Sequence, residues 1–168
     1  MTHPVDDDPS MASAIGRCSN NWTHAETTLA WIFCHLTNTT PTVGVTVFSF
    51  FKATRTQQDV LRKLGKMTPF MTDDLNLRLK DALKTYVALA EERNELLHNP
   101  IGRRVENQVY IMLRTALPTP GELPYRTRPI TPTEIDDLST RIRTFNLELR
   151  AVEGAIRDAK FGIQITNS

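Results

Sequence analysis

The residues of this chain that are best suited to chemistry stand together near its middle, in the stretch ERNELLHN. This stretch contains Arg93, Asn94 and His98. Histidine exchanges a proton near neutral pH and can serve as a general acid or base. An arginine guanidinium presents a fixed cationic fork to phosphate oxygens, and Asn94 can orient either the histidine or a substrate. These are the residue types that metal-free cleavage of an RNA phosphodiester requires.

A long amphipathic helix is predicted to position these residues. Thr72 is a suitable N-cap, and Asp73 and Asp74 place negative charge at the positive end of the helix dipole. The following residues recur at steps of four and three, which predicts one buried seam. Its members are Leu75, Leu79, Ala82, Tyr86, Leu89, Arg93 and Leu96. We expect the helix to end at His98 or Asn99, because the residue before a proline is disfavoured in the α region.

The helical register places an arginine, Arg93, on this apolar seam. A buried charge needs a partner, because an unpaired one is strongly destabilising. Glu26, beside the seam of the first predicted helix, is the carboxylate that we expect to pair with it. Glu91, Asn94 and His98 are spaced three and four residues apart and form a polar stripe beside the seam.

Spacing alone does not identify a catalytic site. An arginine followed five to seven residues later by a histidine also occurs at Arg17 and His24, in a segment where no apolar seam fixes the direction of the arginine. A structural interpretation of the motif is equally simple, with Arg93 as a buried ion-pair residue and His98 as a cap on the last helical carbonyls. The residues by themselves leave both interpretations open.

The rest of the chain predicts an all-α fold, an antiparallel bundle of about four to five helices. The first helix has apolar residues on one face, namely Trp22, Ala25, Leu29, Ile32 and Leu36. Residues 42–51 alternate as in a strand but follow Pro41, which is typical of a helix start, and we favour a helix there. The last helix begins with a capping box in which Thr131 caps and Glu134 reaches back. Its seam is Ile135, Leu138, Ile142, Phe145, Leu149, Val152, Ile156 and Ala159.

A small β-hairpin is predicted between the last two long helices. Val105, Val109, Ile111 and Leu113 all occupy odd positions, as in a strand with one apolar face. Residues 116–130 contain four prolines and are predicted to be an irregular loop. The segment from 100 to 130 is basic, and it could flank a cleft, although a solvated hairpin is the simpler interpretation. Its charged residues are Arg103, Arg104, Glu106, Arg114, Glu122, Arg126 and Arg128.

Length and composition limit the class of protein. The 168 residues fit one domain of common size, and we predict a disordered tail at 1–12 and a single helical domain at 13–168. The formal net charge of +1 provides no global basic field for nucleic acid. The chain has no apolar run of membrane-spanning length and an acidic start unlike a signal peptide, so we expect a cytoplasmic protein without a membrane partner. Cys18 and Cys34 match no zinc spacing, and we predict neither a metal site nor a cofactor.

The stretch ERNELLHN resembles the signature of the HEPN superfamily, small helical proteins in which an arginine–asparagine pair and a nearby histidine end a long helix. The resemblance covers roughly residues 14–160, and only the motif is specific. It implies a homodimer that cleaves RNA without metal, through attack of the ribose 2′-OH, or alternatively a non-catalytic binding or assembly module. In the first case Arg93, Asn94 and His98 are catalytic, supported by Glu26 and Glu91. A neutralising partner protein is left open by the resemblance.

Two features bear on this expectation. Related sequences usually carry glycine after the histidine, whereas this chain has Asn99. Arg93 and His98 are also about 7.5 Å apart along an ideal helix and about 140° apart around it. One straight helix therefore does not easily bring both to the same phosphate. Two motif helices around a two-fold axis can, and the site requires a dimer.

Overall fold

The computed structural model describes residues 8–97, 99–103, 109–115 and 125–166. This part of the chain forms five helices and one small sheet, which confirms the predicted all-α bundle with a small antiparallel β element. The helices are α1 (Pro9–Thr37), α2 (Pro41–Ser49), α3 (Thr54–Met67), α4 (Asp73–Leu97) and α5 (Pro132–Thr166). The strands are β1 (Ile101–Arg103), β2 (Tyr110–Thr115) and β3 (Tyr125–Pro129).

The chain divides into two compact units. One comprises Met1–Asn20 and Glu91–Arg141, and we call it the motif unit because it contains the ERNELLHN stretch. The other comprises Asn21–Ala90 and Ile142–Ser168, and we call it the helical unit. The three long helices α1, α4 and α5 each contribute residues to both units.

In the motif unit, α1 begins with an aspartate cap. Oδ1 of Asp8 accepts hydrogen bonds from the backbone N–H of Ser10 at 2.8 Å and from its hydroxyl at 2.7 Å. The hydroxyl of Tyr110 on β2 donates to the other carboxylate oxygen. These bonds, with Ser10 contributing most, hold the pKa of Asp8 well below its usual range. The helix therefore starts inside the segment for which we predicted a tail, and Met11 is fully buried.

The sheet of the motif unit has the strand order β1-β2-β3, with both pairs antiparallel. The predicted strand near Ile111 is confirmed as β2, whereas Val105 lies outside the described residues. The prediction of an irregular loop is wrong for 125–129, which form β3. Because β3 pairs only with β2, Pro129 stands on an edge strand, where a missing N–H is tolerated. The more buried face of β2 carries Tyr110 and Met112, whereas Ile111 and Leu113, which were predicted to form the apolar face, are half-buried.

In the helical unit, the predicted apolar seams are buried except at Ala82 and Ala159, which are half-buried. From α1 and α5 they comprise Trp22, Ala25, Leu29, Ile32, Leu36, Ile142, Phe145, Leu149, Val152 and Ile156. The start of α4 is capped as predicted, since the Thr72 hydroxyl accepts from the N–H of Leu75 at 3.2 Å. The segment 42–51, ambiguous in sequence, is largely helical, and α2 has Pro41 as its first residue.

A buried tyrosine joins three helices of this unit. Tyr86 on α4 is fully buried and stacks on Trp22 of α1, with ring centroids 4.9 Å apart. Its hydroxyl donates to Oε1 of Gln57 on α3 at 2.8 Å, and the Gln57 amide donates to the carbonyl oxygen of Phe51 at 2.8 Å. The Tyr86 hydroxyl and the Gln57 side-chain amide are thereby hydrogen-bonded within the core, as buried polar groups usually are.

Close approach of α2 to α1 depends on a glycine. A Cβ atom at Gly44 would lie 2.3 Å from Sγ of Cys34 and 2.6 Å from Oγ1 of Thr39. Gly16, by contrast, lies in the interior of α1 and would place a Cβ atom with nothing within 4 Å. The two glycines therefore differ in what a methyl group would meet.

We expect Gly44→Ala to lower the free energy of unfolding by about 1–3 kcal/mol, because the added methyl overpacks the contact between α1 and α2. The matched variant Gly16→Ala should raise it by about 1 kcal/mol through helix propensity alone. Urea denaturation of both variants measures the difference. Equal stability of Gly44→Ala and the wild type would contradict the close approach.

The Asp8 cap predicts a pH-dependent contribution to stability. Because its pKa is lower in the folded than in the unfolded chain, the stabilisation is present above the ordinary pKa of about 3.9 and is lost as the pH falls from there towards the folded pKa. Asp8→Ala should therefore lower the melting temperature at pH 7, and the difference from wild type should shrink below about pH 4. Tyr110→Phe, which removes one donor and leaves the cap, is the control. A difference that is constant from pH 7 to pH 3 would contradict this assignment.

Candidate functional site

The structure brings two of the predicted site residues together in the last turns of α4. Nη1 of Arg93 donates to Oδ1 of Asn94 at 3.3 Å, and Arg93 is half-buried whereas Asn94 is exposed. The described part of α4 ends at Leu97, directly before the end predicted at His98 or Asn99. His98 lies outside the described residues, so its place in the site stays a prediction.

The immediate surroundings of Arg93 include a buried thiol on α1. Burial raises the pKa of the Cys18 thiol, and the positive charge of Arg93 opposes this shift. A buried thiol with a raised pKa stays protonated at neutral pH and is a poor nucleophile. Cys18 therefore contributes packing rather than chemistry to this end of α4.

The two supporting carboxylates predicted from the sequence are both exposed. Glu91 lies on α4 of the motif unit, one turn before Asn94. Glu26 belongs to the helical unit, where it lines a groove of about 320 Å³ together with Lys52 and Gln57. The pairing of Glu26 with Arg93 stays a prediction.

Arginines from other elements balance the carboxylates that flank Arg93. Glu92 forms an ion pair with Arg141 of α5, and this hydrogen bond raises the pKa of Arg141. Oε1 of Glu95 lies 3.9 Å from Nε of Arg128 on β3. These ion pairs offset part of the negative charge that the two carboxylates place beside Arg93.

Arg128 also fixes the beginning of α5. Its Nη2 lies 2.8 Å from Oε1 of Glu134, and the hydrogen bond to this carboxylate raises the pKa of Arg128. The predicted cap is confirmed in one direction, since the Thr131 hydroxyl accepts from the N–H of Glu134 at 3.2 Å. The carboxylate of Glu134 is bound to Arg128, which differs from the reciprocal bond of a capping box. The positive charge of Arg128, one of the basic residues of the segment 100–130, is thus engaged in ion pairs with Glu95 and Glu134.

A second constellation, which our sequence analysis did not identify, lies in the helical unit. A groove of about 570 Å³ runs between α1 and α5. Within it, Nε2 of His35 donates to Oε1 of Glu153 at 2.7 Å. The lining residues are His24, Thr27, Thr28, Trp31, His35, Arg150, Glu153, Gly154 and Arg157.

The sequence did contain a signal for this groove. His24, Thr28, Trp31 and His35 are spaced by four, three and four residues, so they form one stripe of α1. Arg150, Glu153 and Arg157, spaced by three and four residues, form a corresponding stripe of α5. Each stripe alone is typical of a solvated helix face. Only the contact between α1 and α5, which are about a hundred residues apart along the chain, shows that the two stripes face one groove.

Metal ligands, membrane-spanning helices and similarity to known proteins were each considered for this chain. Within the described residues, no group of three or more histidine, cysteine, aspartate or glutamate side chains could hold a metal ion. None of the described helices is long and apolar enough to cross a membrane. Comparison with protein families, with curated proteins and with solved structures found no match to this chain.

Proposed function

We propose that this chain is a HEPN-like homodimer that cleaves RNA at the end of α4 without a metal ion. The observation that carries the proposal is the pair formed by Arg93 and Asn94, in which the asparagine carbonyl oxygen holds the guanidinium at 3.3 Å. An oriented guanidinium on a partly exposed helix end is suited to bind the oxygens of a phosphodiester. The resemblance of ERNELLHN to the HEPN signature supplies the reaction class.

The proposed reaction is an internal transesterification. The ribose 2′-oxygen forms a bond to the adjacent phosphorus, and the bond from phosphorus to the 5′-oxygen of the next nucleotide breaks. His98 carries out one of the two proton transfers, from the 2′-hydroxyl or to the leaving 5′-oxygen, and water carries out the other. Arg93 stabilises the charge that develops on the phosphorane, and Asn94 keeps the guanidinium in place. The exposed carboxylate of Glu91 is one turn away and supports the orientation of this stripe.

Self-association is part of the proposal because positions 93 and 98 of an ideal helix are about 140° apart around its axis. Exposed apolar side chains on α2 and directly after it support self-association, since Val43, Val47 and Phe50 are 52%, 41% and 74% exposed. A contiguous apolar surface of this kind marks interaction sites in proteins. A two-fold contact would cover the same side chains on both copies.

The experiment is cleavage of single-stranded RNA by purified protein in EDTA. Wild type should cleave, and His98→Gln should keep the fold while cutting the rate by roughly 10²- to 10⁴-fold, because glutamine cannot exchange a proton near neutral pH. Arg93→Lys should also reduce the rate, since lysine lacks the bidentate fork. His3→Gln, outside the motif, is the matched control and should cleave as wild type does. Activity that disappears in EDTA and survives His98→Gln would overturn the assignment.

A non-catalytic binding or assembly module is the second candidate. The observation that favours it is the use of Glu92 and Glu95 in ion pairs with Arg141 and Arg128, which gives the ERNELLHN stretch an architectural role. In that case wild type binds RNA or a protein but leaves every RNA intact, and His98→Gln changes neither binding nor, beyond about 0.5 kcal/mol, stability.

The dimer can be tested separately from catalysis. Light scattering at micromolar concentration should give about twice the chain mass of 19.0 kDa. Phe50→Asp, which places a charge at the exposed residue that follows α2, should shift the protein towards monomer if α2 and its C-terminal end form the contact. Arg62→Asp, a charge change on the exposed face of α3, is the control. A monomeric wild type would remove the composite site.

A further inference from the structure

We propose that the groove between α1 and α5 in the helical unit binds a nucleotide, with its base stacked on Trp31 and its phosphate held by Arg150 and Arg157. The groove contains none of the ERNELLHN residues. The inference therefore stands independently of RNA cleavage at α4. The same chemistry is offered by a free mononucleotide and by a nucleotide within single-stranded RNA.

An exposed tryptophan provides the stacking surface. The chain has two tryptophans, and Trp22 is buried in the core at 4% exposure whereas Trp31 is 39% exposed and lines the groove. Bases stack on exposed aromatic rings with little regard to their identity, which is how single-stranded nucleic acids and nucleotides are held. Trp31 also lies beside His35, with ring centroids 6.4 Å apart.

Two arginines of α5 provide the charge for a phosphate. Arg150 and Arg157 are two turns apart, about 10.5 Å along the helix, and both line the groove. Arg150 is exposed and forms no ion pair with any residue that the structure describes. Within the described residues, the one ion pair of Arg157 is with its neighbour Asp158, whose Oδ1 lies 3.3 Å from Nε of the arginine. An exposed pair of this kind is weak and is readily exchanged for a phosphate.

The glycine between these arginines lies beside the guanidinium of Arg157. A Cβ atom at Gly154 would meet Nη2 of Arg157 at 3.8 Å, so the guanidinium lies over this position. The volume of about 570 Å³ falls within the range of small-molecule sites and accommodates a mononucleotide.

The carboxylate of Glu153 is the one acidic group lining the groove, and it is already engaged. Nε2 of His35 lies 2.7 Å from its Oε1, and the two side chains are only 13% and 17% exposed. This hydrogen bond fixes the carboxylate and offsets part of its charge, so the two arginines determine the sign of the groove. An anionic ligand is favoured over a cationic one.

The threonines of α1 favour a ligand that carries hydrogen-bond donors. The hydroxyls of Thr27 and Thr28 donate to carbonyl oxygens of the preceding turn at 2.8 Å and 2.9 Å. Each hydroxyl oxygen can still accept a hydrogen bond. Ribose hydroxyls and base amino groups supply such donors, and inorganic phosphate at neutral pH supplies few.

The test is a titration of Trp22→Phe, which leaves Trp31 as the single fluorescent tryptophan. Adenosine monophosphate should quench this fluorescence saturably, and ribose 5-phosphate, which lacks a base, should bind roughly tenfold or more weakly. Arg150→Ala and Arg157→Ala should each raise the Kd for adenosine monophosphate roughly tenfold or more, as loss of a charged hydrogen bond implies. Should Trp22→Phe not fold, calorimetry with the wild type measures the same constants.

Matched controls distinguish this site from general charge and from the site on α4. Arg62 on α3 is an exposed arginine paired with Asp59 at 3.0 Å, and Arg62→Ala should bind adenosine monophosphate as wild type does. His98→Gln should also bind normally, whatever its cleavage activity. Tighter binding of an oligoadenylate than of the mononucleotide identifies RNA as the ligand, and equal binding identifies a free nucleotide. Absence of saturable quenching by either, or an equal Kd for Arg150→Ala, Arg157→Ala and wild type, would overturn the proposal.

Discussion

Two carboxylates in the last turns of α4 require cationic partners, and the motif unit is organised around supplying them. Arg141 reaches Glu92 from α5, and Arg128 reaches Glu95 from β3 while also binding Glu134 at the start of α5. Each pair is partly exposed and contributes about 1 kcal/mol or less. Their main effect is positional, because they tie the helix end that carries Arg93 to a strand and to a second helix. The two arginines also offset part of the negative charge that Glu92 and Glu95 place beside Arg93.

The helical unit follows a different constraint, the satisfaction of polar groups within closely packed helices. Gln57 joins Tyr86 to the backbone of Phe51, and a glycine permits close packing where α3 meets α4, since a Cβ atom at Gly65 would lie 2.8 Å from Oδ1 of Asn76. The amide nitrogen of Asn146 donates to the carbonyl oxygen of Asn21 at 2.8 Å, whereas its buried Oδ1 has no hydrogen-bond partner among the described residues. Together with the contact between His35 and Glu153, this shows that α1 and α5 run in the same direction, with their polar stripes along one groove.

Helices with an apolar seam could be predicted from the sequence, because a period of 3.6 residues is recorded in the chain itself. The strand at 125–129 could not be predicted in this way. Prolines such as Pro129 argue against a strand in the sequence, but they are tolerated on an edge strand. Arg93 was expected to be buried by register and is half-buried, whereas Leu96, the next residue of the seam, is buried as expected.

The partners of charged residues were the least predictable feature. Glu134 was expected to bind the backbone at its own helix start, yet Arg128 lies closer to its carboxylate in the folded chain. The groove beside Trp31 was missed for the same reason, since it depends on contacts between residues more than a hundred positions apart. Long-range pairing of this kind leaves no period in the sequence.

The chemical identity of the ends produced from RNA tests the central claim most directly, namely that side chains of α4 activate the ribose hydroxyl of the substrate. The account predicts a 2′,3′-cyclic phosphate on one product and a 5′-hydroxyl on the other, and no cleavage where a single 2′-deoxynucleotide replaces the attacking ribose. Mass spectrometry of a defined oligonucleotide after incubation in EDTA resolves these ends. Products with a 3′-hydroxyl and a 5′-phosphate, or cleavage at the deoxynucleotide, would contradict it.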